Sequence, residues 1–521
     1  MQELRKTHHL SHDGMYILKE FEDIPAELFK RMHRNVTQKA LTKAKYPPHL
    51  RCFALTLHFY SPAAYNYVRK TFQLTLPHLS VIRSWYNTID AEPGFSEECF
   101  NTLKLKNEEY RKQNKCLICA LIMDEMGIKK GFQRSRDGKM REYVDIGAGT
   151  KGTSNLPEVK NALVMLVVAL NDTWKLPIAF FLINGLSAET KANLINDALM
   201  RLHEVGVKIT SLTLDGPAEH FAAVKRLGAS MEMKENAKPH FPHPVKDQLD
   251  IHVIIDPCHN LKNIRNALAD LSVILDGDNN RIEWRYIKAL ALLQQDEGLR
   301  LGNKLRTIHI NYKKMIMKVF LAAQTLSASV ADAIEFCWKV LHLPEFKGCE
   351  ATVQFICCVD YVFDFLNVRN PWGKGFKSPL KSENEYIWRP KVLSAINYLS
   401  RLKLLDHKPI YSCSRKTGFI GFYTAVLSSI AIFDHYVKPV NGPLKMLLTY
   451  KLSQDHIELL FAAIRARSGW CPNPTVAQFI SAYKRLLIRH DVEVSTGNTQ
   501  LMDKTKILNV SVSTKKKDSD N

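Results

Sequence analysis

Three acidic residues stand where this chain could do chemistry on a phosphate. Asp124 follows the unbroken apolar run of residues 116–123, the mark of a strand buried on both faces. Asp215 follows a second strand-like run, 207–214. Glu458 sits beside the stripe Ile457, Leu460, Phe461 and Ile464 of an amphipathic helix over 453–465, with Asp455 three residues earlier on the same side. An aspartate buried against such sequence costs roughly several kcal/mol unless a cation pairs with it. A divalent metal shared between carboxylates would resolve that conflict. The competing reading makes each one the first residue of a solvated turn, which suits Asp215-Gly216-Pro217 well. The sequence alone leaves both open.

Other motifs carry less. Gly147-Ala-Gly149-Thr-Lys-Gly152 fits a dinucleotide fingerprint literally, but such a loop must open a helix, and here Ser154-Asn-Leu-Pro157 and another apolar run follow. Cys116-x-x-Cys119 lacks a second pair, and on a strand its thiols would point to opposite faces. Adjacent Cys258-His259 is weak as a zinc site. Neither a GxxxxGK[ST] loop nor an NKxD motif is present to announce a nucleotide.

The elements that must position the carboxylates are legible in outline. Strand-like runs at 116–123, 141–146, 162–170 and 176–183 precede a helix at 187–204 with Ser187 as N-cap; strands then end at Asp215 and Asp256. From about Leu261 onward the pattern is almost wholly helical, as at 322–341 and 351–366. Ahead of the strands, residues 31–90 hold nine basic residues against Asp90 alone. They read as three short helices, with Ser61 capping and Pro62 opening the second. The third carries Arg83, Ser84 and Asn87 beside Trp85, which suits a helix-turn-helix reader of duplex DNA; Arg69 and Lys70 are further candidates for the phosphate backbone. A merely solvated basic subdomain is the alternative.

Composition narrows the class. The chain has 521 residues, 46% of them hydrophobic and 24% charged, as expected of folded domains, and its net charge of +20 favours a polyanionic partner. The longest apolar run is nine residues, and the N-terminal residues lack an apolar secretory core, so neither a membrane span nor a signal peptide is expected. Eleven cysteines without framework spacing read as free thiols of a reducing compartment. Residues 494–521 turn polar and are expected to form a disordered tail.

Several motifs in order resemble the P-element class of DNA transposases, and most closely its vertebrate members with a THAP zinc domain. They are Tyr46-Pro-Pro-His-Leu-Arg-Cys-Phe-Ala-Leu-Thr-Leu-His-Phe-Tyr-Ser-Pro62, Arg83-Ser-Trp-Tyr, Met123-Asp-Glu-Met126 and Lys175-Leu-Pro-Ile-Ala, then Asp256-Pro-Cys-His-Asn-Leu-Lys-Asn-Ile-Arg265, Ser453-Gln-Asp-His-Ile-Glu458 and Asn473-Pro474. The resemblance implies an α/β plus α fold: an RNase H-like core interrupted by a large helical insertion domain and preceded by a small helix-turn-helix domain. The expected division is a leader at 1–30, the helix-turn-helix domain at 31–110, the first part of the core at 111–265, the insertion at 266–445 and the last catalytic helix at 446–493. The 243 residues from Asp215 to Glu458, against 91 from Asp124 to Asp215, leave room for a whole inserted domain.

The resemblance further implies that Asp124, Asp215 and Glu458 hold Mg2+ or Mn2+ for DNA cleavage and strand transfer. It implies GTP bound in the insertion, with Asp364 and Asn367 contacting guanine and Asp455 adding a contact. Double-stranded DNA, a homo-oligomer on DNA and a nuclear location follow from it. No cysteine precedes Cys52, so the THAP module is not expected in this sequence. A domesticated, transposase-derived DNA-binding or regulatory protein is the alternative to an active enzyme.

Overall fold

The computed structural model describes residues 24–38, 41, 44–86, 92–130, 143–147, 157–234, 237–246, 248–467, 471–488 and 505–508. The basic N-terminal segment folds as four helices, α1 Ile24–Thr37, α2 Pro48–Tyr60, α3 Pro62–Thr71 and α4 Leu79–Tyr86. Ser61 Oγ caps α3 by accepting from Ala64 N at 3.1 Å, and Pro62 occupies the first turn, where its missing N–H costs nothing. Leu50, Leu55, Tyr65, Leu76 and Ile82 form a small core of their own, and the buried Tyr65 hydroxyl donates to Pro77 O at 2.7 Å. The domain begins earlier than expected, because α1 starts at Ile24, inside the segment read as a leader.

The next unit is a mixed sheet of β1 Gly94–Phe95, β2 Ile118–Gly127, β3 Asn161–Ala169, β4 Trp174–Ile183, β5 Lys208–Leu214, β6 His240–Phe241 and β7 Ile251–Ile255. Their order is β1-β4-β3-β2-β5-β7-β6. β2, β3 and β4 form an antiparallel meander, while β5 and β7 join parallel to β2 on its other side. Helices α5 Glu97–Lys112, α6 Ala188–Glu204 and α7 Ala218–Leu227 flank it. Ser187 caps α6 as its sequence suggested, accepting from Thr190 N at 3.0 Å. The uninterrupted apolar runs of β2 to β4 follow from burial on both faces.

Two boundaries differ from expectation. β1 pairs with β4 and α5 packs on β4, so residues 94–112 belong to the sheet and not to the helix-turn-helix domain. Within the segment expected to be a disordered tail, β10 Lys506–Ile507 pairs parallel with β4, and Ile507 is buried in the core. Two apolar residues among polar ones are too short a signal to read, but the open edge of β4 satisfies their backbone.

The helical part runs through α8 Pro257–Leu271, the hairpin β8 Val273–Leu275 and β9 Arg281–Glu283, then α9 Trp284–Asp296, α10 Thr307–Ile310, α11 Val319–Thr325, α12 Ala328–Lys339, α13 Glu350–Leu366, α14 Glu385–Ser400 and α15 Thr417–Tyr436. The single helix expected at 322–341 is broken at Leu326-Ser327. By length and composition α15 could cross a membrane, but it is the central core helix, packed on α8 and β7 and mostly buried. Its close approach to α8 needs glycine, since a Cβ at Gly421 would lie 2.1 Å from Asn260 Oδ1. The chain then returns to the sheet with α16 Asp455–Arg467 and α17 Val476–Ile488; Phe479 and Tyr483 of α17 pack on Phe180 of β4.

Candidate active site

Asp124 does not end its strand, as the sequence suggested, because β2 continues to Gly127. The register Ile122↔Thr213 and Leu214↔Ile255 brings Asp124, Asp215 and Asp256 side by side at the C-terminal ends of parallel strands β2, β5 and β7. Open α/β sheets place their ligand sites at this edge. Glu458 reaches the same edge from the first turn of α16. The segment before α16 is fixed by buried polar bonds: Thr213 Oγ1 donates to Leu452 O at 2.7 Å, Gln454 Nε2 to Met123 O at 3.0 Å, and Gln454 N to Asp256 Oδ1 at 2.9 Å. Lys451 Nζ donates to the carbonyls of Ala169, Leu170 and Asp172. A helix 334 residues beyond Asp124 is thereby locked against the strand that carries it.

Electrostatics tie the carboxylates together. Burial, then the neighbouring Asp215 and Glu458, push the Asp124 carboxyl up to about 7. Burial and the charges of Asp256 and Asp455 push Glu458 up to about 7. Burial would raise Asp215 too, but His220 Nδ1 at 2.5 Å, His259 and Lys191 hold it below the usual carboxylate range. The fully buried Asp256 accepts from His259 N at 2.8 Å and pairs with His259 Nδ1 at 2.9 Å. Burial works against the charge on His259, yet Asp256 raises its pKa. Asp256, His259, His220 and Gln454 were not singled out from sequence. Asp256-Pro257 at a strand's end is an N-cap signal, and His259 within its first turn was the available clue.

The donor set suits hard divalent cations, since carboxylate oxygens are their preferred ligands. Burial first and then mutual repulsion push Asp124 and Glu458 up, and a bound cation would relieve both. Among the described residues no three His, Cys, Asp or Glu side chains already stand in ligating geometry.

The residues expected at guanine divide. Asp364, in the last turn of α13, is raised by burial and lies 3.4 Å from Lys377 Nζ; Asp360 one turn earlier is pushed up to about 6 by burial and then by Asp364. Asn367 Oδ1 accepts from Arg369 Nε at 3.1 Å, and Arg369 also pairs with the buried Asp455. Asp455, expected at the nucleotide, thus ties the segment after α13 to the first turn of α16. Of the duplex candidates, Lys70 and Arg83 are exposed. Arg69 Nε donates to Leu76 O at 3.0 Å and Ser84 Oγ to Val81 O at 2.8 Å, so both also serve their own fold. Asn87 lies outside the described residues. Arg31, counted in the basic surplus, is buried and paired with Glu27 at 2.8 Å.

Four family descriptions match in this order: the P transposase-like HTH domain at 3–85, the TNP-like RNase H N-terminal domain at 91–228, the TNP-like GTP-binding insertion domain at 258–379 and the TNP-like RNase H C-terminal domain at 450–484. The chain belongs to the P-element transposase family. It is 28% identical over 473 residues to human DNA transposase THAP9, covering 91% of this chain and 51% of that protein. With the Drosophila melanogaster transposable element P transposase it shares 23% over 452 residues, 84% of this chain and 53% of the other. This member thus spans about half the length of the curated relatives it matches. Its fold is similar to that in the Drosophila P element transposase strand transfer complex, with a TM-score of 0.70 at 21% identity, covering 87% and 94% of the two chains. The sheet and helical unit described above are accordingly an RNase H-like core interrupted by a GTP-binding insertion domain.

Proposed function

We propose that this chain is a DDE-type DNA transposase, which cleaves DNA and transfers strands with divalent metal and GTP as cofactors. The observation that carries the reading is the meeting of Asp124, Asp215 and Glu458 at one strand edge, where the charge on Asp124 is felt against both others. Mg2+ or Mn2+ held by these three would polarise the phosphoryl oxygens and lower the pKa of an attacking water or DNA 3′-hydroxyl. The chain itself supplies the carboxylate cradle, and the buried Asp256 raises the pKa of His259 against the effect of burial, beside the place where a phosphodiester would lie. His220 holds Asp215 ionised. The basic helical domain, with Lys70 and Arg83 outermost among the candidates, would bind duplex backbone. Work on chromosomal DNA implies the nucleus, and joining two element ends implies a homo-oligomer.

The decisive assay incubates the purified chain with Mg2+ or Mn2+ and a pre-cut transposon-end oligonucleotide. Strand joining that disappears in Asp124→Ala and Glu458→Ala supports the enzyme; duplex binding without joining in either metal supports the regulatory alternative. For the nucleotide, Asp364 would accept from guanine N1–H and the 2-amino group. Asp364→Ala should weaken GTP binding about tenfold or more, the effect of one lost charge-assisted hydrogen bond; unchanged affinity in a titration removes Asp364 from the site.

A further inference from the structure

Between α9 and α12 the insertion carries a basic stretch with an apolar tip. From Gly298 to Ala331 there are six basic residues, Arg300, Lys304, Arg306, Lys313, Lys314 and Lys318, and no aspartate or glutamate. After a short helical turn at Tyr312–Met315, Ile316 and Met317 stand 46% and 69% exposed. Lys313, Lys314 and Lys318 beside them are exposed, and among the described residues none of the three takes part in an ion pair. The tip is held in place from behind. The fully buried Arg265 of α8 donates from Nη2 to Met315 O at 3.1 Å and to Ile316 O at 3.4 Å. The buried Tyr312 donates its hydroxyl to Asp270, also on α8, at 2.5 Å. A buried guanidinium is thus spent on the backbone of the turn, while two apolar side chains at its end forgo burial. Ile316 and Met317 line one cavity of about 320 Å³ together with Asp215 and His259. Since α8 begins at Pro257, directly after Asp256, the tip and the carboxylate edge are fixed to the same helix.

We propose that Ile316 and Met317 form a wedge that enters duplex DNA between two base pairs beside the site of cleavage, with Lys313, Lys314 and Lys318 on the flanking phosphates. The inference rests on the transposase reading and deepens it. Scattered exposed hydrophobes need no explanation. These two are adjacent, fixed by buried bonds, rimmed by lysines and set in the wall of a cavity assigned to phosphate chemistry. Apolar side chains of this kind unstack a base step when they insert, and neighbouring cations take the phosphates on either side. An acidic protein surface would also meet the lysines, but it gives no use to an apolar tip at Asp215. Opening the step kinks the backbone there, which turns its phosphate out of the helical path and towards the carboxylates.

The test measures equilibrium binding of the full chain, without divalent metal, to a transposon-end duplex carrying 2-aminopurine at the step next to the cleaved phosphodiester. Emission should rise on binding as the base leaves its stack, and a duplex mismatched at that step should bind about tenfold tighter, because its unstacking costs less. Ile316→Ala with Met317→Ala should lose both the rise and the preference. Both side chains are exposed, so this variant should melt within about 2 °C of wild type. Lys314→Gln should weaken matched and mismatched duplex alike and reduce the slope of log affinity against log salt by about one. Unchanged emission on wild-type binding, an equal rise in the alanine variant, or a salt slope indifferent to Lys314 overturns the proposal. Strand joining by the wild type in Mg2+ or Mn2+ is measured separately. Joining without the rise in emission sinks the wedge alone, and absence of joining strikes the transposase reading whatever the emission does.

Discussion

At the scale of the residue, Asp124 shows why a buried carboxylate is a burden to its own fold. Its carboxyl sits at about 7 against an ordinary 3.8, so the unfolded chain ionises first as pH rises. A raised carboxyl destabilises the native state progressively above about pH 4, with the full penalty above its folded pKa. Each unit corresponds to about 1.4 kcal/mol. In metal-free buffer at pH 8, Asp124→Asn should therefore raise the melting midpoint by roughly several degrees, with the gain shrinking towards pH 5. Equal melting of variant and wild type at pH 8 would show that neither burial nor the neighbouring carboxylates disfavour the Asp124 charge. Asp124 and Asp215 could be picked out of the sequence because each follows an unbroken or strand-like apolar run. Asp256 and His259 could not be ranked, because their value lies in a buried pairing that only the end of β7 creates. Arg31 and Arg69 show the converse: local charge counting cannot tell a guanidinium facing solvent from one bonded into its own domain.

At the scale of the element, the decisive one is α16. Its apolar period was readable, but that period alone leaves Glu458 merely beside a stripe. Its aim comes from Gln454, whose side chain donates to Met123 O and whose backbone donates to Asp256. Gln454→Leu leaves the Met123 carbonyl buried without this donor, a cost of about 1–3 kcal/mol. Strand joining should fall about tenfold or more through misplacement of Glu458, while duplex affinity, which the proposed function assigns to the basic helices, stays unchanged. A variant that joins strands at the wild-type rate would remove Gln454 from this role. The same reasoning explains β10: a two-residue strand has no period, and the unfilled edge of β4 recruits it.

At the scale of the whole molecule, the insertion and the core are joined by charge as well as by packing. Arg369, just past α13, pairs with Asp455 at the start of α16 and lies over the Tyr450 ring at 5.5 Å. Arg369→Ala removes the ion pair from a buried carboxylate three residues from Glu458 and should cost about 3 kcal/mol. Adding Asp455→Asn should recover part of that loss, giving a coupling of about 1 kcal/mol or more in a double-mutant cycle read by denaturant unfolding. Strict additivity would mean that this ion pair contributes nothing to the joint.

By itself the sequence determined most of the longer strands and helices, the strand-borne acids, the basic character of the N-terminal helices and the room for a domain between Asp215 and Glu458. Those properties are local: they depend on period, capping and spacing along the chain. Tertiary structure alone decided that β2, β5 and β7 lie parallel with their acids in register, that α16 is pinned beside them, and that Asp455 faces Arg369. The physical reason is range. Burial, ion pairing and carboxylate repulsion act through a few ångströms of space, and the partners concerned are separated by tens to hundreds of residues in the chain.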